Sequence, residues 1–256
     1  ITRFVCQQCG YISTDWMGRC PECQQWSSFV EEVVEHRRKA AKTNGEKASE
    51  VNPQKLSEIQ SAQSKRALTG FEELDRVLGG GIVDASVTLL SGDPGIGKST
   101  LLLQVACNMA GGALYVSGEE SLQQLKLRAD RLAHKNPKNL FFLAETSLER
   151  FIKAIEKVYP VFVVIDSIQT LTTSDLSGSA GSVGQIRDCT QELTRLAKEN
   201  GISLMIIGHV TKEGTIAGPQ VLSHLVDTVL FLEGERFKAI RVLRSLKNRF
   251  GPVDEV

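Results

Sequence analysis

The stretch GDPGIGKST, residues 92 to 100, constrains this chain more than any other. It satisfies the pattern G-x-x-x-x-G-K-[ST] through Gly92, Gly97, Lys98 and Ser99, with a further glycine at 95. The apolar run SVTLLSG leads into it and the helical pattern STLLLQVACNMA leads out, the strand, loop and helix context that such a loop requires. Glycines let successive backbone N–H groups converge on phosphate oxygens, and the start of the helix adds its partial positive charge. Gly92, Asp93, Pro94, Gly95, Ile96, Gly97, Lys98, Ser99 and Thr100 are therefore expected to cradle a nucleotide. Lys98 would reach the β- and γ-phosphates and Ser99 would ligate Mg2+.

Downstream, apolar runs alternate with amphipathic helical patterns: ALYVSG, SLQQLKLRADRLA, NLFFLAE, SLERFIKAIEKV, VFVVIDS, VGQIRDCTQELTRLAKEN and ISLMIIGHV. This alternation reads as an α/β domain whose mainly parallel sheet is flanked by helices. Thr146 with Glu149 reads as a capping box at one helix start. The tail TVLFLEGERFKAIRVLRSLKN has no helical pattern, so it is expected to add antiparallel strands at one edge.

In a parallel sheet the carboxyl ends of the strands open on one crevice. Asp166 ends VFVVIDS there and is the expected magnesium-shell aspartate. Glu119 and Glu120 follow ALYVSG, and one of them is expected to activate the attacking water. Glu119 is preferred because it lies nearer the strand end. Glu120 would serve as a helix N-terminal charge, although the two could exchange roles. His209 closes a further strand, where it either senses the γ-phosphate through a hydrogen bond or caps the strand.

The first thirty residues have a different character. CQQC at 6 to 9 and CPEC at 20 to 23 supply two knuckles, and together Cys6, Cys9, Cys20 and Cys23 make a closed four-sulfur shell suited to structural Zn2+. Trp16, Trp26 and Arg19 could stack on nucleic acid or face protein, but in so small a packet the tryptophans are expected to supply its core. Residues 31 to 65 are polar and nearly free of large apolar side chains, which reads as a flexible linker. The expected organisation is thus a zinc knuckle over 1–30, a linker over 31–65 and an ATPase-type domain over 66–256. Cys107 and Cys189 fall in apolar helical patterns and read as core thiols.

The formal net charge is zero, so no global basic footprint argues for nucleic acid and any such role must rest on local patches. The apolar runs are too short to cross a membrane and no signal pattern opens the chain, so the expected location is cytoplasmic. One local patch is VLRSLKNRFGP, where Lys247 and Arg249 stand at i and i+2 with no acidic residue beside them until Asp254. In a strand such positions share a face. They are either a solvated strand end or a pair that reaches for an anion.

The four-cysteine knuckle followed by LTGFEELDRVLGGGI, GDPGIGKST, YVSGEES, VIDSIQT, GSVGQIRDC, GHVTKEGTIAGP and KNRFG resembles the bacterial RadA (Sms) family of RecA-like DNA repair and recombination ATPases. The resemblance covers nearly the whole chain, and KNRFG after such a core is its most specific part. It implies a RecA-like P-loop core that uses ATP and Mg2+, alongside the zinc finger. It further implies action on single-stranded or branched DNA in homologous recombination, including branch migration. Similarity to hexameric replicative helicases implies a homo-hexameric ring with ATP between subunits, and recombinase or helicase proteins as partners. Lys247 and Arg249 would then reach the γ-phosphate held by a neighbouring subunit.

Residues 172 to 184 and 211 to 220 fall where RecA-like proteins carry central-channel loops. Lys212 and Arg187 are the cations expected to track a DNA backbone there, unless these are surface loops. RadA proteins continue past KNRFG into a domain resembling the Lon protease, and this chain stops at Val256, so that domain is expected to be missing. The first functional expectation is a DNA-dependent, helicase-like motor ATPase. The second is an ATP-switched protein-binding module that does not translocate. A small-molecule kinase is a third, opposed by the absence of an evident lid segment.

Overall fold

The computed structural model describes residues 2–33, 55, 66–132, 139–209, 222–234 and 240–253. Each apolar run of the sequence becomes a strand of one seven-stranded sheet: β6 (Val87–Gly92), β7 (Ala113–Ser117), β8 (Leu140–Ala144), β9 (Phe162–Asp166), β10 (Ser203–Ile207), β11 (Thr228–Gly234) and β12 (Arg241–Asn248). Their order is β12-β11-β6-β10-β9-β7-β8. All neighbours run parallel except β11 and β12.

Helices cover both faces, which explains why β6, β7, β9 and β10 are buried throughout and carry no polar alternation. Along β9, Val163 and Ile165 pack with α4 (Leu148–Val158) and α5 (Val183–Asn200). Phe162 and Val164 pack on the other face with α1 (Glu72–Val77), α2 (Lys98–Asn108) and α3 (Leu122–Leu132). Cys189 is fully buried in the first of these layers, and Cys107 lies partly buried against the second.

Two expectations are corrected here. The tail contributes one parallel and one antiparallel strand in place of two antiparallel ones. Residues 208–227 between β10 and β11 are long enough to carry the chain back to the starting end of the sheet, so β11 enters parallel beside β6. The short connection to β12 can only reverse direction. At α4 the cap is Ser147, whose Oγ accepts the Arg150 N–H, and not Thr146. Glu149 is used differently: its carboxylate accepts from Ser147 Oγ at 2.7 Å and from the Ser174 N–H at 2.7 Å, tying the start of the 172–184 segment to α4.

The amino-terminal residues form a three-stranded antiparallel ribbon in the order β2-β1-β3, with β1 Thr2–Cys6, β2 Ile12–Ser13 and β3 Phe29–Val33. Its interior is Val5, Cys6, Cys20 and Phe29, with Phe4, Tyr11 and Met17 against it. Trp16 and Trp26 are not core residues; they are 60% and 71% exposed on either side of Gly18, with the Arg19 guanidinium over the Trp26 ring. The clustered thiols occupy the centre, so little interior is left for an indole. The ribbon's last strand runs three residues past the boundary drawn at 30. Nearly all of the 31–65 linker lies outside the described residues.

The ribbon packs on the amino end of α5. Arg3 bridges Glu32 and Asp188 at 3.2 and 3.1 Å. The Gln7 side-chain Oε1 accepts the Val183 N–H, and Ser177 exchanges hydrogen bonds with the Val33 backbone. A Cβ at Gly184 would fall 2.1 Å from the Glu32 carboxylate, so a side chain there would have to push that carboxylate aside.

Candidate nucleotide site and metal centre

The loop between β6 and α2 is shaped by what surrounds it. Gly92 has φ +148, and a Cβ there would fall 2.1 Å from the Leu232 carbonyl oxygen of the adjacent strand. Gly95 sits on the open side, where an added Cβ would meet nothing within 4 Å, and Gly97 caps α2 in the left-handed region. The loop thus leans on β11 behind and opens forward. Lys98, 4% exposed, donates from Nζ to the Gly92 and Asp93 carbonyls at 2.7 and 2.9 Å. Burial lowers its pKa, opposed by Asp166, Asp93 and Glu119. An anion entering the loop would supply the charge this ammonium lacks.

Asp166 closes β9 beside that lysine, 6% exposed. The Tyr115 hydroxyl donates to its Oδ2 at 2.5 Å. Arg128 of α3 donates from Nη2 to the Tyr115 oxygen at 3.1 Å, pairs with Glu120 at 2.7 Å, and lies 3.6 Å from Asp166. Glu119 has different company: its Oε1 accepts from Ser167 Oγ at 2.9 Å and stands 3.8 Å from His209 Nε2. Ser117 accepts both glutamate N–H groups, and this local bond shapes the turn that sends the two side chains apart. Burial and then Lys98 lower the His209 pKa, which favours neutral imidazole. Ser99 and Asp166 present oxygen donors of the kind Mg2+ takes.

The four ribbon cysteines form the second centre. Their Sγ atoms all lie within 4.8 Å of one another, with Cys6 to Cys23 at 3.6 Å and Cys9 to Cys20 at 3.5 Å. Zn–S bonds of ~2.3 Å set tetrahedral sulfurs roughly 3.8 Å apart, so the shell fits zinc without rearrangement.

The remaining expected residues lie elsewhere. Because β12 runs antiparallel, Asn248 pairs with Thr228 at the amino end of the parallel strands, the end opposite the loop. Lys247 donates to the Ser223 and Val226 carbonyls at 2.5 and 2.8 Å. Arg249 pairs with Asp227 at 3.2 Å, so the acidic partner that the sequence lacked nearby arrives from 22 positions upstream. Arg187 is paired with its neighbour Asp188 at 3.1 Å, 18% exposed, in the crevice shared with Arg3. Lys212 and its whole segment, residues 211–220, lie outside the described residues.

The family described as AAA domain matches residues 53–215, and the one described as Rubredoxin metal binding domain matches residues 4–31. The DNA repair protein RadA of Bacillus subtilis (strain 168) is 49% identical over 261 residues, covering 100% of this chain and 57% of that protein. The RadA of Listeria monocytogenes serovar 1/2a is 52% identical, covering 100% and 56%. This chain belongs to the family described as AAA domain. It spans little more than half the length of these curated relatives. The solved structure of the KaiC-like protein PH0186 from Pyrococcus horikoshii OT3 shares the fold, with a TM-score of 0.60 at 17% identity over 75% of this chain and 93% of that one.

Sequence reasoning missed three residues around this site: Tyr115, Arg128 and Ser167. Tyr115 is hidden in an apolar strand and Arg128 in a charged helix pattern, so neither carries a local signal. Ser167 follows Asp166 directly, and a hydroxyl at a strand's carboxyl end was the one available hint.

Proposed function

We propose that this chain is the zinc-ribbon and ATPase portion of a RadA-type repair protein that hydrolyses ATP with Mg2+ and couples turnover to DNA. Lys98 and the loop amides hold the phosphates, Ser99 and Asp166 hold the magnesium shell, and Glu119 orients and deprotonates water. The observation that carries the assignment is the division of labour between the two glutamates. Glu120 is committed to Arg128, whereas Glu119 stands at the crevice with Ser167 and His209, free to accept a proton. His209, kept neutral, is suited to report a γ-phosphate through a hydrogen bond.

The ring and the motor belong to the same proposal. Lys247 and Arg249 sit at the far end of the sheet from their own loop, so a phosphate they touched would belong to a second copy. Arg249 is 55% exposed while paired, which leaves it able to turn outward. Branch migration, a hexameric ring, single-stranded or branched DNA and recombinase or helicase partners are the finer content of this reading, supported by kinship with RadA. The alternative, an ATP-switched binding module, draws on the carbonyl bonds of Lys247, which look architectural.

Steady-state ATP hydrolysis with and without single-stranded DNA, alongside mass in solution with a non-hydrolysable analogue, tests the proposal. DNA-stimulated turnover in a ring-sized particle is expected, and Arg249→Ala should abolish it while nucleotide binding persists. A monomer indifferent to DNA would favour the switch.

A further inference from the structure

Tyr115 is wholly buried in β7, and its ring packs 6.1 Å from Phe142 like any core aromatic. Its hydroxyl does not behave like a core group. It donates to Asp166 Oδ2, accepts from Arg128 Nη2, and lies 3.4 Å from the Ser99 carbonyl oxygen. One side chain therefore touches both residues assigned to the magnesium shell. The same oxygen stands between a guanidinium and a carboxylate that would otherwise meet. Arg128 is 2.7 Å from Glu120 but 3.6 Å from Asp166, beyond hydrogen-bonding distance.

We propose that Tyr115 is a positioning residue for Asp166, locking one carboxylate oxygen and holding Arg128 against Glu120 so that Asp166 remains available to magnesium. The proposal rests on reading the loop at 92–100 as an ATP site. A hydroxyl suits this position because it donates and accepts at once, which neither phenylalanine nor a second cation can do. Remove it, and Asp166 Oδ2 faces an apolar ring edge. Arg128 then has a vacant path to the carboxylate and competes with the metal for it. Both consequences weaken magnesium while leaving the phosphate contacts of Lys98 and the loop amides in place. Partners one layer behind a metal's ligands commonly change its affinity about 10- to 100-fold.

The test is Tyr115→Phe in the full 256-residue chain, read by titrating a fluorescent N-methylanthraniloyl-ADP in EDTA and across a magnesium series. The expected result is an EDTA affinity within about twofold of wild type and a half-saturating magnesium concentration raised about tenfold. An unchanged magnesium midpoint in a variant that binds nucleotide overturns the assignment of Tyr115 alone. Equal weakening with and without magnesium also overturns it, because that is the signature of a damaged core. A wild-type chain that binds no nucleotide under any condition overturns the ATP-site reading together with this one.

Discussion

The two ends of the sheet each hold a buried aspartate, and the contrast between them separates architecture from chemistry. Asp227, at the amino end, is 4% exposed and satisfied from all sides: Val87 N–H at 3.0 Å, Lys198 at 2.6 Å and Arg249 at 3.2 Å. It ties the first residue of β6 to α5 and to the residue after β12. Asp166, at the carboxyl end, has one oxygen engaged by Tyr115 and the Arg128 guanidinium 3.6 Å away, close enough to pair but beyond hydrogen-bonding distance. Lys98 and Lys247 repeat the pattern, since both donate to main-chain carbonyls. Only Lys98 does so inside a loop built to take phosphate. A buried charge completely paired serves the fold, and one partly paired beside an open cradle serves a ligand.

Asp227→Ala should have the largest effect on stability, because it leaves the buried Val87 N–H without an acceptor and releases Lys198 and Arg249 to solvent. A loss of about 1–3 kcal/mol in urea unfolding is expected, and a loss below about 0.5 kcal/mol would erase the distinction between the two ends. At the other end Glu119→Gln should lower ATP turnover about 100- to 10,000-fold, while Glu120→Gln stays within about tenfold of wild type. Reversed values in steady-state assays would give the base role to Glu120. Asp166→Asn, an isosteric change, should shift the unfolding midpoint by less than about 1 kcal/mol while removing magnesium from nucleotide binding. A large stability loss there would make Asp166 a second Asp227.

Glu149 sharpens the comparison with pH. Burial raises its pKa, but the Ser174 N–H and the hydroxyls of Ser147 and Thr173 more than offset this and hold it down to about 2 from an ordinary 4.5. A carboxyl depressed on folding stabilises above its unfolded pKa and loses that contribution as pH falls through its folded one. The gap in melting temperature between the wild-type chain and Glu149→Gln should therefore hold constant from pH 8 to about 5 and close progressively between about 4.5 and 2. A gap that is flat across that window would mean that the segment at 173–174 is not anchored by this charge.

Much of this was legible locally. The loop at 92–100, the aspartate after VFVVI and the paired CxxC knuckles are each defined by neighbours along the chain, and a short stretch carries its own backbone chemistry. The α/β alternation was equally visible, because strands covered on both faces must be apolar and helices covered on one must be periodic. The glutamate pair was placed with a preference for Glu119 and with the two roles exchangeable, since Arg128 meets Glu120 only after α3 folds back over β7. The indoles of Trp16 and Trp26 were misjudged because nothing in the sequence says that clustered thiols already fill so small a ribbon.

The sequence by itself determined that this chain holds a phosphate loop on a parallel sheet and a four-thiolate metal shell, because both are short-range arrangements of backbone and ligands. Only the tertiary structure decided that Arg249 meets Asp227, that Tyr115 stands between Arg128 and Asp166, and that the Glu32 carboxylate lies against Gly184. Those contacts join residues far apart in the chain. Their partners are selected by strand order and helix packing, which no local pattern encodes.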